Sequence, residues 1–275
     1  MRIDAHQHFW KFDPVRDAWI TPDMQVIRKD FLPGDLAPLL ESKHIDACVA
    51  VQADQSENET SFLLDLANKN KFIKGVVGWV DLRSQNIDER LSHYKSFPLV
   101  KGFRHVVQGE PNGFLLQPDF IRGVKSLARF GFTYDLLVFP HQLGESLAFV
   151  RQLSDQPIII DHLAKPYIKR KEIEPWRAEM RALAQFEHVW CKVSGMITEA
   201  NWSTWTLEDF APYMDAVLAS FGPDRLVFGS DWPVCLVAGS YPQVVELTEH
   251  YLETAVSKEE KKKIMGENAI RFYNL

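Results

Sequence analysis

The sequence predicts a single-domain (β/α)8 TIM barrel that spans residues 1–275. Eight short runs rich in valine, isoleucine and aromatic residues alternate with helix-like segments, at about one run per 34 residues. Several runs are nearly continuous apolar stretches, which is typical of parallel strands covered on both faces. Strand–helix alternation implies right-handed βαβ units, and eight of them in this length favour a closed barrel over an open doubly wound sheet.

The strand candidates run from one end of the chain to the other. They cover residues 2–9, 46–53, 73–82, 100–107, 132–139, 157–164, 189–196 and 225–232. After the first of them, the proline-rich residues 10–38 form a connection that is longer than usual. We expect this connection to fold as a loop or lid over the barrel mouth.

Helix-like segments lie between the strand candidates, with apolar residues at helical spacing. They cover residues 61–70, 118–129, 175–186 and 208–220, and a last segment begins at 257. Pro212 predicts that the helix of 208–220 starts late or kinks. Ser257 and Glu260 have the spacing of a capping box before the last helix.

The composition indicates a soluble globular protein with 46% hydrophobic and 25% charged residues. The net charge of −6 argues against nucleic acid or an anionic membrane as the main partner. No basic segment followed by an apolar one opens the chain, and no apolar run approaches the ~18 residues of a membrane span. Three scattered cysteines, Cys48, Cys191 and Cys235, do not form a disulfide framework. We therefore expect a cytoplasmic protein.

Two strand candidates at opposite ends of the chain finish in residues suited to catalysis. His6 and His8 lie two positions apart, so both imidazoles can point into the barrel as ligands of one metal or donors to one carbonyl. Asp231 follows the apolar run Leu226–Phe228, where a carboxylate could take a proton from water. Active sites of such barrels lie at the carboxyl ends of the strands, so these residues are candidates for the active site.

The fourth and sixth strand candidates end in further polar residues. Arg104 and His105 are adjacent, so at most one enters the barrel while the strand stays regular. His162, at the end of the sixth strand candidate, is a further candidate for the site of His6 and His8. Lys165 is a candidate substrate contact. Trp232 is a candidate wall of the pocket. Weaker signals come from other polar residues in strands: Gln52, Asp135, Asp161, Lys192 and Ser194.

These residues, taken together, resemble the amidohydrolase superfamily of barrel hydrolases. The likeness is strongest to the amidohydrolase-related ("amidohydrolase 2") branch, in particular to sugar lactonases of the L-fuconolactonase and L-rhamnonolactonase type. A lactonase of pyrone dicarboxylates is a more distant likeness. The motifs that carry the resemblance are IDAHQHFW, KGFRHVVQ, DHLAKP, VWCKVSG, FGSDWPVC and GENAIRFYNL.

The resemblance implies hydrolysis of the lactone ring of a sugar acid, in carbohydrate catabolism. Asp231 would be the general base, while His6, His8 and His162 would polarise the carbonyl or, with Asp231, hold one divalent metal, Zn²⁺ or Mn²⁺. Metal-independent catalysis stays open. The superfamily often uses a carboxylated lysine at the end of strand 4, whereas the lysine of this strand lies near its start. We therefore expect no binuclear centre. Around the substrate we expect Arg104, His105, Trp19, Lys165 and Trp232.

Other functions remain open on the same residues. One is a metal-dependent cyclic amide hydrolase, and another is a decarboxylase of the same superfamily. A sugar-binding barrel without activity is the non-enzymatic alternative, although it would be expected to have lost part of its histidine and aspartate set. No glycine-rich dinucleotide motif, P-loop or serine elbow is present. The sequence leaves open whether the chain is a monomer or a homo-oligomer.

Overall fold

The computed structural model describes residues 1–275 as an eight-stranded parallel barrel, as predicted. Each strand pairs with the next one along the chain. The strands are β1 (Ile3–Gln7), β2 (Ala47–Val51), β3 (Ile73–Gly78), β4 (Val100–Val106), β5 (Thr133–Leu137), β6 (Ile158–Ile160), β7 (Val189–Val193) and β8 (Leu226–Phe228). Beyond β8, Trp232 forms a parallel bridge with Gln7, and the amide of Asp231 donates to the carbonyl of His6 at 2.8 Å. These bonds bring the last strand beside the first.

Ten helices surround the barrel. They are α1 (Pro33–Ser42), α2 (Glu57–Lys69), α3 (Ile87–Lys95), α4 (Pro118–Phe130), α5 (Leu143–Val150), α6 (Trp176–Leu183), α7 (Ala211–Phe221), α8 (Tyr241–Ala255), α9 (Lys258–Lys262) and α10 (Asn268–Tyr273). All five predicted helical segments are confirmed. Helix α7 starts at Ala211, three residues into the predicted segment, which confirms the late start that Pro212 predicted; Pro212 lies in its first turn, where no amide is needed. The Ser257 side chain caps α9 as its spacing predicted. No helix combines the length and the apolar character needed to cross a membrane.

The core has two parts. The larger lies between the strands and the helices, and the smaller fills the barrel interior, where Ala5, Val49, Ile159 and Val227 pack with Tyr273 of α10. Apolar side chains thus fill the lower part of the barrel, and the polar residues of the strand ends lie above them.

An irregularity in β1 turns His6 into the barrel. The pairing of β1 with β2 shifts register between Asp4 and Gln7. As a result Ala5 packs in the interior cluster while the next residue, His6, also reaches interior groups. Gln7 points the other way and donates to Cys48 Sγ at 3.3 Å. Such irregularities commonly re-aim a side chain next to an active site.

The connection at residues 10–38 contains short ordered elements rather than one open loop. Trp10 and Phe31 pair as an antiparallel bridge, a 3-10 turn covers Pro22–Ile27, and α1 begins at Pro33. Its residue Trp19 reaches the rim of the barrel cavity. Whether the segment acts as a lid stays a prediction.

Candidate active site

A cavity of about 360 Å³ opens at the carboxyl ends of the strands. The residues at its floor come from four strand ends: His8, Arg104, His162 and Asp231. Its rim includes Arg16, Trp19, Gln108 and Lys165. The volume lies within the range of small-molecule sites, and its position is where barrels of this kind carry out chemistry.

Three imidazoles meet one carboxylate at the floor of this cavity. The Oδ1 atom of Asp231 lies 3.4 Å from Nε2 of His8, 3.8 Å from Nε2 of His162 and 4.0 Å from Nε2 of His6. The two β1 imidazoles also approach each other, with 3.2 Å between their Nε2 atoms. The structure thus brings together residues from three distant parts of the sequence, around positions 6–8, 162 and 231.

Hydrogen bonds behind two of the rings orient them toward the carboxylate. The Nδ1 atom of His8 lies 2.8 Å from the carbonyl oxygen of Val51. Because a carbonyl only accepts, the ring proton of His8 is on Nδ1, and its Nε2 presents a lone pair to the cavity. His162 Nδ1 lies 2.9 Å from Ser194 Oγ, so its Nε2 also faces Asp231.

Left-handed backbone, rather than regular strand, carries two of the four residues. His162 has φ 54° and Asp231 has φ 57°, so both lie just beyond the ends of β6 and β8. The predicted strands 157–164 and 225–232 are therefore too long, because this conformation ends the ladder. Gly195, with φ 61°, lets the chain pass His162, since a Cβ atom there would lie 2.6 Å from Nδ1 of that ring.

Burial and charge set the protonation of the site. Burial lowers the pKa of His162 to about 4 and holds the pKa of His6 well below its ordinary value. Burial alone would raise the pKa of Asp231, but its interactions with His162, His8 and His6 outweigh burial and lower that pKa. At neutral pH His6 and His162 are therefore neutral and Asp231 is ionised, which is the state that a general base requires.

Charged residues behind the histidines form a buried layer. Arg104 Nη1 donates to Asp161 Oδ2 at 3.1 Å and lies 3.3 Å from Nε2 of His6. Lys192 Nζ lies 2.9 Å from Asp161 Oδ1 and 2.5 Å from Asp135 Oδ2. The sequence predicted Arg104 at the site but offered only weak signals for Asp135, Asp161 and Lys192, because a lone polar residue inside an apolar strand does not indicate its partners.

Of the five predicted substrate contacts, three line the cavity and two do not. Arg104, Trp19 and Lys165 line the cavity. His105 points to the other side of β4, where its Nε2 lies 2.8 Å from Glu110 Oε1 and its ring stacks on Phe114. Trp232 is buried against Phe9 and Phe31. The structure does not bring His105 and Trp232 to the cavity, because strand alternation turns one outward and core packing holds the other.

The donor set fits a single divalent metal. The ligand atoms of His6, His8 and Asp231 lie within 4.8 Å of one another, as do those of His6, Asp161 and His162. In the second set, Asp161 is already paired with two cations, so the first set, with His162 beside it, is the better match. The Nε2 lone pair of His8 is available to a metal, and imidazole with carboxylate is a donor set that zinc accepts.

Fold and site together define a barrel enzyme of the hydrolase class, with a histidine–aspartate centre at its mouth. The chain belongs to the amidohydrolase family, whose profile matches residues 3–275.

Several known proteins are similar over the full chain. The L-fucono-1,5-lactonase of Burkholderia multivorans is 40% identical over 286 residues, which is 100% of this chain and 96% of that protein. The L-fucono-1,5-lactonase of Burkholderia ambifaria is 34% identical, with 100% and 96% covered. A crystal structure of an amidohydrolase from Burkholderia multivorans with bound zinc superposes with a TM-score of 0.96 at 40% identity, covering 100% of this chain and 99% of that one.

Proposed function

We propose that the protein hydrolyses a neutral lactone of a sugar acid, such as L-fucono-1,5-lactone or L-rhamnonolactone, in carbohydrate catabolism. The observation that carries the proposal is the position of Asp231, whose Oδ1 lies within 4.0 Å of three imidazole Nε2 atoms. His8 and His162 line the cavity with Asp231, and His6 lies buried behind them. The 40% sequence identity of the chain to an L-fucono-1,5-lactonase supports the substrate class.

Asp231 acts as the general base in the proposed reaction. Water attacks the lactone carbonyl carbon and gives a proton to the carboxylate of Asp231. The attack converts the carbonyl into a tetrahedral intermediate. When the ring C–O bond breaks, the leaving alkoxide takes that proton from Asp231. The product is the open hydroxy acid, and the carboxylate is regenerated. General-base assistance of this kind typically contributes ~10²–10⁴-fold.

The imidazoles of His8 and His162 line the cavity in which negative charge develops on the carbonyl oxygen, and His6 lies behind them. Ser194 fixes the ring of His162 through Nδ1, so its Nε2 can donate to that oxygen without reorganisation when the charge forms. His8, whose Nε2 presents a lone pair, would polarise the carbonyl through a bound metal. A divalent metal held by His6, His8 and Asp231, with His162 beside it, would supply Lewis-acid polarisation of the carbonyl and lower the pKa of bound water.

The charges of the cavity favour a neutral substrate. Each of its three cations already has a carboxylate partner. The pairs are Arg16–Asp17, Arg104–Asp161 and Lys165–Glu199, at 2.8, 3.1 and 2.8 Å. Binding an anionic lactone would require breaking one of these pairs or burying a further negative charge beside Asp231.

Unpaired donors on two residues that line the cavity suit the oxygens of a sugar. Arg104 Nε and Gln108 Nε2 are buried and have no hydrogen-bond partner. Hydroxyl and ring oxygens can accept from them, and a buried donor left unpaired is costly. The half-exposed ring of Trp19 offers a surface for the apolar face of the sugar.

A turnover panel tests the proposed function. Six-carbon and 6-deoxy aldonolactones would be compared with a dicarboxylate lactone, a cyclic amide and an aromatic carboxylate, with released acid followed by a pH indicator and decarboxylation by carbon dioxide release. We expect turnover of a neutral aldonolactone at least tenfold above the dicarboxylate. Turnover of only the amide or only the carboxylate would replace the proposal with the amide hydrolase or the decarboxylase. Sugar binding without turnover would favour a non-enzymatic barrel.

A further inference from the structure

A chain of buried polar side chains connects helix α10 to His6 through the barrel interior. The Tyr273 hydroxyl donates to Asp135 Oδ2 at 2.8 Å, and Lys192 Nζ lies 2.5 Å from the same oxygen. Lys192 Nζ also lies 2.9 Å from Asp161 Oδ1 and 3.0 Å from His6 Nδ1. Lys192, Asp135, Asp161 and His6 have no exposed surface at all.

Three buried groups hold the ammonium of Lys192. Its Nζ donates to Asp135 Oδ2 and to His6 Nδ1, and it forms an ion pair with Asp161 Oδ1 at 2.9 Å without hydrogen-bond geometry. Two hydrogen bonds and one ion pair therefore hold the Lys192 side chain in one position. Since one acceptor is a ring nitrogen of His6, that position also restrains the imidazole.

Stability alone does not account for these charges. Barrel interiors are commonly filled by layers of branched apolar side chains, as Ile159 and Val227 fill this one. Replacing a buried ion cluster by apolar groups of similar volume is often neutral or stabilising. A cluster of this kind next to the catalytic histidines therefore calls for a role in the reaction.

We propose that Lys192 is a positioning residue for the hydrolysis, with Tyr273 holding it in place through Asp135. Lys192 contacts His6 on the Nδ1 side, opposite the Nε2 atom that faces Asp231 and His8. Lys192 does not line the cavity, so it acts on the alignment of the imidazole and not on substrate binding. The inference rests on the proposed function.

The expected signature is a loss in kcat at unchanged KM. Lys192→Met should lower kcat by ~100-fold or more, since small misplacements of reacting groups cost about that much. Its KM should stay within twofold of the wild-type value. Tyr273→Phe, which removes only the hydroxyl, should lower kcat less and also leave KM unchanged. Tyr134→Phe is the matched control, because that buried hydroxyl has no partner, and it should retain wild-type kcat.

A double variant separates positioning from structural support. Lys192→Met alone leaves two buried carboxylates short of one cation, so its Tm should fall. Lys192→Met/Asp135→Asn removes one charge of each sign, so its Tm should recover toward the wild-type value while kcat stays low. Recovery of Tm and kcat together would overturn the proposal, because the cluster would then serve the fold alone.

The remaining outcomes are distinguishable. If the double variant does not fold, Tyr273→Phe decides: wild-type kcat in that variant would overturn the positioning role. An active wild-type protein with a fully active Lys192→Met variant refutes the positioning role and leaves the proposed function standing. A wild-type protein that turns over no lactone refutes both.

Discussion

At the scale of single residues, the site depends on a few backbone conformations that side-chain chemistry alone would not suggest. His162 and Asp231 both have left-handed φ values, an uncommon conformation for residues that are not glycine. The turn after His162 keeps this conformation through Lys165. Such strain persists where the surroundings over-determine it, and it is common at active sites. It turns two polar side chains into the cavity where the strands end.

Gly195→Ala tests how tightly the chain must pass His162. We expect a large loss of kcat, because the new methyl group would lie 2.6 Å from Nδ1 of the ring and displace it from Ser194. Gly113→Ala is the control, since Gly113 also has positive φ but has open space around it. Both variants should lose about 1 kcal/mol of stability from backbone strain. Kinetics and thermal unfolding measure the two effects, and similar kcat values in both variants would contradict the expectation.

Asp231→Asn tests the proposed base. The substitution keeps the size of the side chain but removes its ability to take a proton. Turnover should fall by ~10²–10⁴-fold at neutral pH. Circular dichroism should show an intact fold, since the only charged-group partners of the Asp231 carboxylate are the three imidazoles. A variant that keeps wild-type kcat would exclude Asp231 as the base.

At the scale of helices and strands, the sequence was informative where a polar residue follows an apolar run. His6, His8, His162 and Asp231 could be predicted to meet because the carboxyl ends of parallel strands share one rim. The barrel itself could be predicted because all eight strands have strong patterns. The predicted strands end four residues too late for β3, β6 and β8, and in β6 and β8 left-handed backbone conformation, not composition, ends the strand.

Residues that depend on tertiary contacts could not be predicted. Gln108 lies in a short turn after β4 and reaches the cavity only because of how that turn folds. Lys192 is one lysine in an apolar strand, and its pairing with Asp135 and Asp161 joins three separate strand regions. The sequence could not show whether Trp232 lines the cavity or packs in the core, because an aromatic ring suits both positions.

Helix α2 carries a carboxyl group that makes stability depend on pH. Burial raises the pKa of Glu59 to about 7, with Asp54 adding repulsion and Arg16 opposing it. Because the folded protein then binds this proton more tightly than the unfolded chain, stability falls as the pH rises from about 4.5 to about 7.

Glu59→Gln should remove this dependence. The amide oxygen can still accept from the backbone amide of Ala53, which now donates to Glu59 Oε1 at 3.1 Å. Relative to the wild-type protein, the variant should gain about 1–3 kcal/mol at pH 8 and little at pH 4.5. Urea unfolding at the two pH values measures the difference. An equal effect at both would show that the carboxyl group is not buried as described.

At the scale of the whole molecule, the candidate active site joins the two ends of the barrel sequence. Asp4 Oδ1 accepts from the amide of Ser230, 226 positions away, and Asp231 bonds to the backbone of His6. Strands β1 and β8 are therefore held together at the same rim where the imidazoles and the carboxylate meet. A ligand that bridges these groups would bind only the closed barrel, so its binding should stabilise the entire fold.

Zinc is the ligand with which to test this coupling. The donors of His6 and His8 lie at the end of β1 and that of Asp231 lies just beyond β8, so the histidines and the carboxylate are separated in the unfolded chain. Zn²⁺ at about 100 times its Kd should therefore add about 2.7 kcal/mol, which corresponds to a rise in Tm of about 5 °C. His8→Ala should abolish the rise, while Asp54→Asn, at the same cavity but outside the donor set, should keep it. Thermal unfolding with and without chelator measures the shift. A rise of equal size in His8→Ala would mean that zinc binds elsewhere, and no rise in the wild-type protein would mean that these donors do not hold it.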